Sequence, residues 1–301
     1  MTKDFYRQQP DYESIRRIVY QIKAGNPHAG VFPIGRSVLG RGLFAVNIGG
    51  TRGTTVFAGG LRAGEWLTTL LLFRFCEDIL QAVAQGSTLG GVDVARALEN
   101  RPLTIIPCAN PDGLEIAAHG PATAGVLAGK VSAIRNSYRR RCWQANARGV
   151  DLAHNFDANW QAQLCSAQKQ KAEGPAPACY GGSRPGSEPE ARALTGFCTG
   201  SGVRQLYEFQ AHGEVIHCSY GPHTPSCSQL MAQVLASSCG YRVCPPRGAA
   251  THGGFAHWFV EQLHRPGFTV RVGKGRTPLP VEELEPTYQK LMEAMVLAAI
   301  L

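Results

Sequence analysis

The segment Gly59-Gly60-Leu61-Arg62-Ala63-Gly64-Glu65-Trp66 sets a guanidinium three residues ahead of a carboxylate, where a short β-rich run gives way to a long apolar stretch. A guanidinium is always charged, offers five N–H donors and has no lone pair for a metal. A carboxylate at such a junction faces burial, and a buried charge is costly unless it is paired. Arg62 is therefore the expected countercharge of Glu65. Other reactive types are less well placed. His217-Cys218 and Cys108 lie near expected strand ends. Neighbours on a strand point to opposite faces, so His217 is not positioned to activate Cys218, and the thiols read as buried apolar groups. Ser187 and Ser219 lie outside any GxSxG elbow, no GxxxxGK[ST] segment occurs, and Gly35, Gly40 and Gly42 do not make GxGxxG between a strand and a helix. Asp112, inside Asn110-Pro111-Asp112-Gly113, reads as a turn cap.

The elements that must position these groups follow from period and punctuation. Residues 12–24 place Ile15, Ile18, Val19 and Ile22 at helical spacing, and Gly25-Asn26-Pro27 stops that helix. Residues 37–48 read as a hairpin arm, turn and strand. Thr54 to Ala58 is a short strand ending at Gly59-Gly60, followed by an apolar helix from Glu65 to Val83. Leu103 to Pro107 is a further buried strand closed by the Asn110-Pro111-Asp112-Gly113 turn. Residues 161–187 are polar and rich in Pro and Gly, and read as loop. Leu206 to Ile216 and Gly267 to Val272 read as strands, and Pro280 to Leu301 as a closing amphipathic helix. Strands alternating with long helices predict a layered α/β sheet in one domain spanning residues 1–301.

Of 301 residues, 44% are hydrophobic and 17% charged, enough apolar mass for a sizeable core. No apolar window is long enough to span a membrane, and Met1 to Arg7 lacks a secretory apolar run, so a cytoplasmic location is the default. The ten scattered cysteines form no CxxC pair and read as free thiols in a reducing compartment, with Cys239 and Cys244 close enough to meet in a loop. The net charge of +8 includes a basic cluster, Arg135 with Arg139-Arg140-Arg141, near Tyr138 and Trp143. No recognition motif accompanies it, so a solvated basic loop is expected rather than a specific nucleic-acid surface.

A series of landmarks in chain order carries a family resemblance: Ile34 to Arg41, Gly59 to Trp66, Ala109 to Gly113, Asn146 to Leu152, Ser187-Glu188-Pro189-Glu190, Gly213-Glu214-Val215-Ile216, Gly267 to Val270 and Val272 to Gly275. Together these resemble the zinc carboxypeptidase family, and within it the bacterial γ-D-glutamyl-diamino-acid peptidases that cut cell-wall peptides. The resemblance implies a three-layer α/β/α sandwich around a mixed, twisted eight-stranded sheet. It also implies a zinc ion held by two histidines and a glutamate, a second glutamate as general base, and cationic groups for the oxyanion and the substrate carboxylate.

At the positions that the resemblance assigns to this chemistry, the residues differ. The ligand positions are Arg62, Glu65 and Gln210, the catalytic-base position is Arg271 and the oxyanion position is Gln144. Ala153-His154 follow Val150-Asp151-Leu152 where the family has Asn-Arg or Asn-His, and His252 stands at the mobile tyrosine. Arginine is no general base and an amide oxygen is a poor zinc ligand. The expectation is a pseudo-peptidase with no cofactor, whose Arg62, His154, His252 and Arg271 make a basic cleft for a peptide or acidic small molecule. The alternative is an active metallocarboxypeptidase or murein-peptide hydrolase holding zinc through a rearranged set such as Glu65, His154 and His212.

Overall fold

Along the central strands, apolar side chains of alternate residues go to opposite faces, and each face meets its own helical layer. The computed structural model describes residues 3–138, 142–248 and 252–301, so Arg139-Arg140-Arg141 of the basic cluster lie outside the described residues. In chain order the elements are α1 (Tyr12–Gly25), β1 (Ala29–Arg36), β2 (Gly42–Ile48), β3 (Thr55–Ala58), α2 (Trp66–Gln85), a small hairpin β4 (Thr88–Leu89) and β5 (Val92–Asp93), α3 (Val94–Asn100), β6 (Leu103–Ile106), α4 (Pro111–His119) and α5 (Ala128–Ser137). They continue with α6 (Trp160–Lys169), α7 (Pro189–Gly200), β7 (Gln205–Ala211), β8 (Val215–His217), α8 (Ser228–Cys239), β9 (Arg242–Val243), α9 (Phe255–Leu263), β10 (Gly267–Val272) and α10 (Leu284–Ile300).

Eight strands form one mixed sheet in the order β1-β2-β6-β3-β7-β10-β8-β9. Its centre, β6-β3-β7-β10, is parallel, and β8 runs antiparallel to β10. Phe57, Tyr207 and Phe209 join α1, α2, α8 and α10 in the larger core on one face. Val56, Ala58 and Leu206 join α7 and α9 in the second core on the other. This is the three-layer arrangement expected, and the period of two along each strand produces it.

Local chemistry sets the element ends. Asp11 caps α1 by accepting from Ser14 N at 2.7 Å, while Ser14 Oγ accepts from Asp11 N. Asn110 caps α4 through Gly113 N at 2.9 Å, with Pro111 in the first turn. Asp112 does more than cap. It is fully buried and accepts from Ser37 Oγ, Leu39 N and Arg41 Nη1, tying the β1–β2 loop to α4.

Three expectations need correction. The stretch 161–187 is not all loop, because α6 occupies its start. Its buried positions include Gln163, whose amide donates to Cys179 O, and this polar residue hides the helical period. Leu206 to Ile216 is two strands, β7 and β8, divided at Gly213-Glu214, where Glu214 has φ 49° and pairs with Lys290 at 2.8 Å. The last helix begins at Leu284 after a short 3-10 turn. All ten cysteines are free, so Cys239 and Cys244 form no bridge.

Candidate functional site

The chain leaves β3 through Gly59-Gly60 at the carboxyl end of the parallel strands. Gly60 has φ +64°, and a Cβ there would lie 3.1 Å from Cys108 Cα and 2.7 Å from Thr69 Oγ1, so glycine suits both the turn and its packing. Asn110 Nδ2 donates to Leu61 O at 3.0 Å, and Thr68 Oγ1 both accepts from Gly60 N and donates to Glu65 O. These bonds fix the short turn Ala63–Glu65 and deliver Arg62 and Glu65 to one point.

Arg62 fills that point with a dense set of acceptors. Its Nε lies 3.2 Å from Asp151 Oδ1 and 3.4 Å from Oδ2, Nη1 lies 3.4 Å from both Glu65 Oε1 and Gln210 Oε1, and Nη2 lies 3.0 Å from His154 Nε2. The expected Arg62–Glu65 pair is present, but Asp151 is the nearer carboxylate. Asp151 was not singled out in the sequence as a charge partner. Ahead of the short 3-10 turn Leu152–His154, it also accepts from Ala153 N and Cys179 N.

The hydrogen bonds assign the His154 tautomer. Nε2 faces a guanidinium N–H and must accept, so Nδ1 carries the proton and donates to His252 O at 3.2 Å. Burial pushes the His154 pKa down and favours this neutral form. Gly253 (φ +62°) packs directly on His154, since a Cβ there would come 2.5 Å from the His154 carbonyl oxygen.

The two carboxyls differ. Asp151 is held below its ordinary pKa: burial would raise it, but the Arg62 guanidinium and the hydrogen bonds from Arg62 and Cys179 N more than offset that cost. Burial dominates at Glu65 and pushes its pKa up to about 7, against the opposing pull of Arg62. The shared guanidinium thus has Asp151 as its ionised partner and Glu65 as a carboxyl poised between states near neutrality.

Strand register extends the site. Thr269 pairs with Glu208 on one side and His217 on the other, while Arg271 pairs with Gln210 and Val215. Side chains of Glu208, Gln210, Thr269, Arg271 and His217 consequently share one face. With Arg62, Ala153, His154, Tyr220, Arg247, His252, Gly254 and His257 they line a cavity of about 230 Å³. Glu208 is buried and takes Gln210 Nε2 at 2.7 Å and Ala256 N at 3.1 Å, at the amino end of α9. Gln210 therefore bridges Arg62 and Glu208. Tyr220 Oη donates to Thr269 Oγ1 at 2.6 Å. Glu208, Thr269, Tyr220 and His217 were missed as a group, although the alternation in Gln205–Ala211 and Gly267–Val272 carried the signal for two of them.

The residues expected to make a basic cleft, Arg62, His154, His252 and Arg271, thus line one cavity, and Gln210 and His217 line it with them. Gln144 does not join them. Its Oε1 accepts from Gly64 N at 3.1 Å, and its side chain packs under Gly64, where a Cβ would come 2.7 Å from Nε2. His212 lies beyond the strand end with Nδ1 3.3 Å from Thr277 Oγ1, which removes it from a rearranged zinc set with Glu65 and His154. Neither Cys108 nor Cys218 is an activated thiol. Burial pushes Cys108 up to about 12 and raises Cys218, and His217 directs Nδ1 to Cys244 O at 2.9 Å. A larger hollow of about 620 Å³ runs along α1 and α2 beside Arg74 and Asp78, apart from these groups.

The match is now recognisable in sequence. The profile of the zinc carboxypeptidase family fits residues 15–294. This chain belongs to the zinc carboxypeptidase family. It is 30% identical over 287 residues to gamma-D-glutamyl-L-diamino acid endopeptidase 1 of Lysinibacillus sphaericus, covering 95% of this chain and 71% of that protein. Among solved structures, bovine thrombin-activatable fibrinolysis inhibitor superposes with a TM-score of 0.73 at 17% identity, covering 98% of this chain and 97% of that one. Murein-tripeptide amidase MpaA from Escherichia coli O157 gives 0.52 at 20% identity, covering 89% and 91%. Both superpositions establish the carboxypeptidase fold.

At the positions that the resemblance assigns to the metal, the donors are poor. Of Arg62, Glu65 and Gln210, only Glu65 is an ordinary zinc donor, and a guanidinium is bonded to it. Among the described residues, no three or more His, Cys, Asp or Glu side chains gather as a possible metal site. These residues do not fit zinc. No helix among the described residues is long and apolar enough to cross a membrane.

Proposed function

We propose that this member of the zinc carboxypeptidase family works without zinc, does not hydrolyse peptides, and uses the modified cleft to bind an acidic peptide end or another small anion. The observation that carries the reading is the Arg62 guanidinium bonded at once to Asp151, Glu65, Gln210 and His154. A permanent cation there supplies the charge that balances the buried carboxylates, as a divalent ion does in a metallopeptidase. It cannot polarise a carbonyl as a Lewis acid or lower the pKa of a bound water. Arg271, at the position of the family's base, cannot accept a proton at neutral pH.

What remains is suited to binding. Arg271 and Arg247 face the cavity, and Arg pairs with carboxylates through two parallel hydrogen bonds. The relative from Lysinibacillus sphaericus is named for an acid-bearing peptide bond, which makes an acidic peptide fragment a reasonable ligand class here. Ten free cysteines support a reducing, cytoplasmic setting for this role.

Elemental analysis of protein purified without added metal, followed by zinc titration and an assay on γ-D-glutamyl-diamino-acid peptides, tests the reading. We expect no stoichiometric zinc and no turnover. One equivalent of zinc together with hydrolysis would replace this reading with that of a rearranged metallopeptidase.

A further inference from the structure

Arg62 and Arg271 face the same cavity in different states. Arg62 is saturated by four partners. The Nε of Arg271 is buried with no hydrogen-bond partner among the described residues, and the nearby acid, Glu65, is already engaged by Arg62. A buried donor left unpaired is costly, and a guanidinium presents its N–H groups as a planar fork. Such an arrangement is satisfied by a planar acceptor arriving from outside.

His217 adds the opposite polarity. It sits across from Thr269 in the ladder, two pairs along from Arg271, on the same face of the sheet. Its Nδ1 is committed to Cys244 O at 2.9 Å as a donor, which leaves Nε2 as an acceptor toward the cavity. The space is about 230 Å³, below the usual range for drug-sized ligands, with Arg62, Gln210 and Glu208 bonded into its floor.

We propose that Arg271 and His217 form a subsite for a small carboxylate bearing an O–H or N–H donor on the neighbouring carbon, that is, an α-hydroxy or α-amido acid. The carboxylate lies on the Arg271 fork and the adjacent donor reaches His217 Nε2. The ligand is bound intact. This assignment rests on the non-hydrolytic reading above, because it uses Arg271 as a fixed cation.

Titration calorimetry with four probes tests it: hydroxyacetate, N-acetylglycine, acetate and acetamide, with inorganic phosphate as a fifth. Hydroxyacetate and N-acetylglycine should bind up to about tenfold more tightly than acetate, the net worth of one added neutral hydrogen bond, and acetamide, which lacks the charge, should not bind. Arg271→Gln should abolish binding of every carboxylate. Arg271→Lys, which keeps the charge and loses the fork, should weaken it by about tenfold and serves as the decisive variant should Arg271→Gln fail to fold. His217→Phe should bring hydroxyacetate down to the level of acetate while acetate itself still binds. Equal binding of acetate and acetamide, unaltered binding in Arg271→Lys, or phosphate binding as well as hydroxyacetate would overturn the proposal. Zinc content measured on the same sample separates the two levels. Metal-free protein that ignores all five probes rejects this subsite alone, whereas metal-loaded protein rejects the reading beneath it.

Discussion

Arg62 organises the side chains around it. Its side chain is only 19% exposed, and it shares its charge between two buried acids. Removing one partner of such a set leaves uncompensated charge in the interior, so Arg62→Ala should lower the unfolding free energy by about 3–5 kcal/mol, read from denaturant unfolding. An unchanged transition midpoint would show that the guanidinium is dispensable. Glu65 should leave a second signature. Its pKa moves from 4.5 in the unfolded chain to about 7 in the fold, so between those values the native state holds the extra proton. The stability this provides is fully present below about 4.5 and is lost as pH rises through about 7. Asp151, whose folded pKa is lowered, works in the other direction and loses its contribution on acidification. Glu65→Gln should therefore gain on the wild type as pH rises from 5 to 8, by up to about 3 kcal/mol, and a pH-independent difference between the two would contradict the assignment.

At the scale of elements, the site depends on loops pinned by buried side chains. Asp112 takes three donors from the β1–β2 loop and its own α4 is capped by Asn110, which also holds the Leu61 carbonyl at the entrance to the Arg62 turn. Asp112→Ala should cost about 3 kcal/mol, because Ser37, Leu39 and Arg41 lose a common acceptor, and should speed backbone hydrogen exchange across residues 37–41 first. A loss spread evenly over the whole chain would point to global rather than local weakening. This scale is also where the sequence was most and least readable. The strands around Phe57, Ile105 and Val270 declared themselves by β-branched runs and glycine stops, and the Asn110-Pro111-Asp112-Gly113 cap was evident from its turn chemistry. Helix α6 was hidden because Gln163, on its buried face, is polar and donates to the loop carbonyl of Cys179. The division of β7 from β8 was hidden because Glu214 adopts a left-handed turn conformation more usual for glycine.

For the whole molecule, the contrast lies between a preserved framework and an altered centre. The fold is that of the carboxypeptidases, so the framework should accept a metal once suitable donors are supplied. The triple change Arg62→His, Gln210→His and Arg271→Glu should bind one zinc per chain, measured by elemental analysis and by a rise in melting temperature on zinc addition. Failure of the triple variant to take up zinc would mean that Asp151, His154 and the surrounding loops have shifted too far to hold it. That Arg62, Glu65 and Gln210 would meet was legible because turn and strand motifs fix the register around them. The role of Asp151 and the turned-away Gln144 were not, since both depend on side-chain directions that only packing decides.

The cation at the middle of this cleft is covalently part of the chain, anchored through Arg62 to the turn that begins α2. It has no dissociation equilibrium and does not compete with other ions. Chelators cannot strip it, and its protonation survives any pH at which the fold exists. On the zinc-free reading proposed above, the charge that balances these carboxylates is made with the polypeptide itself and needs no loading step.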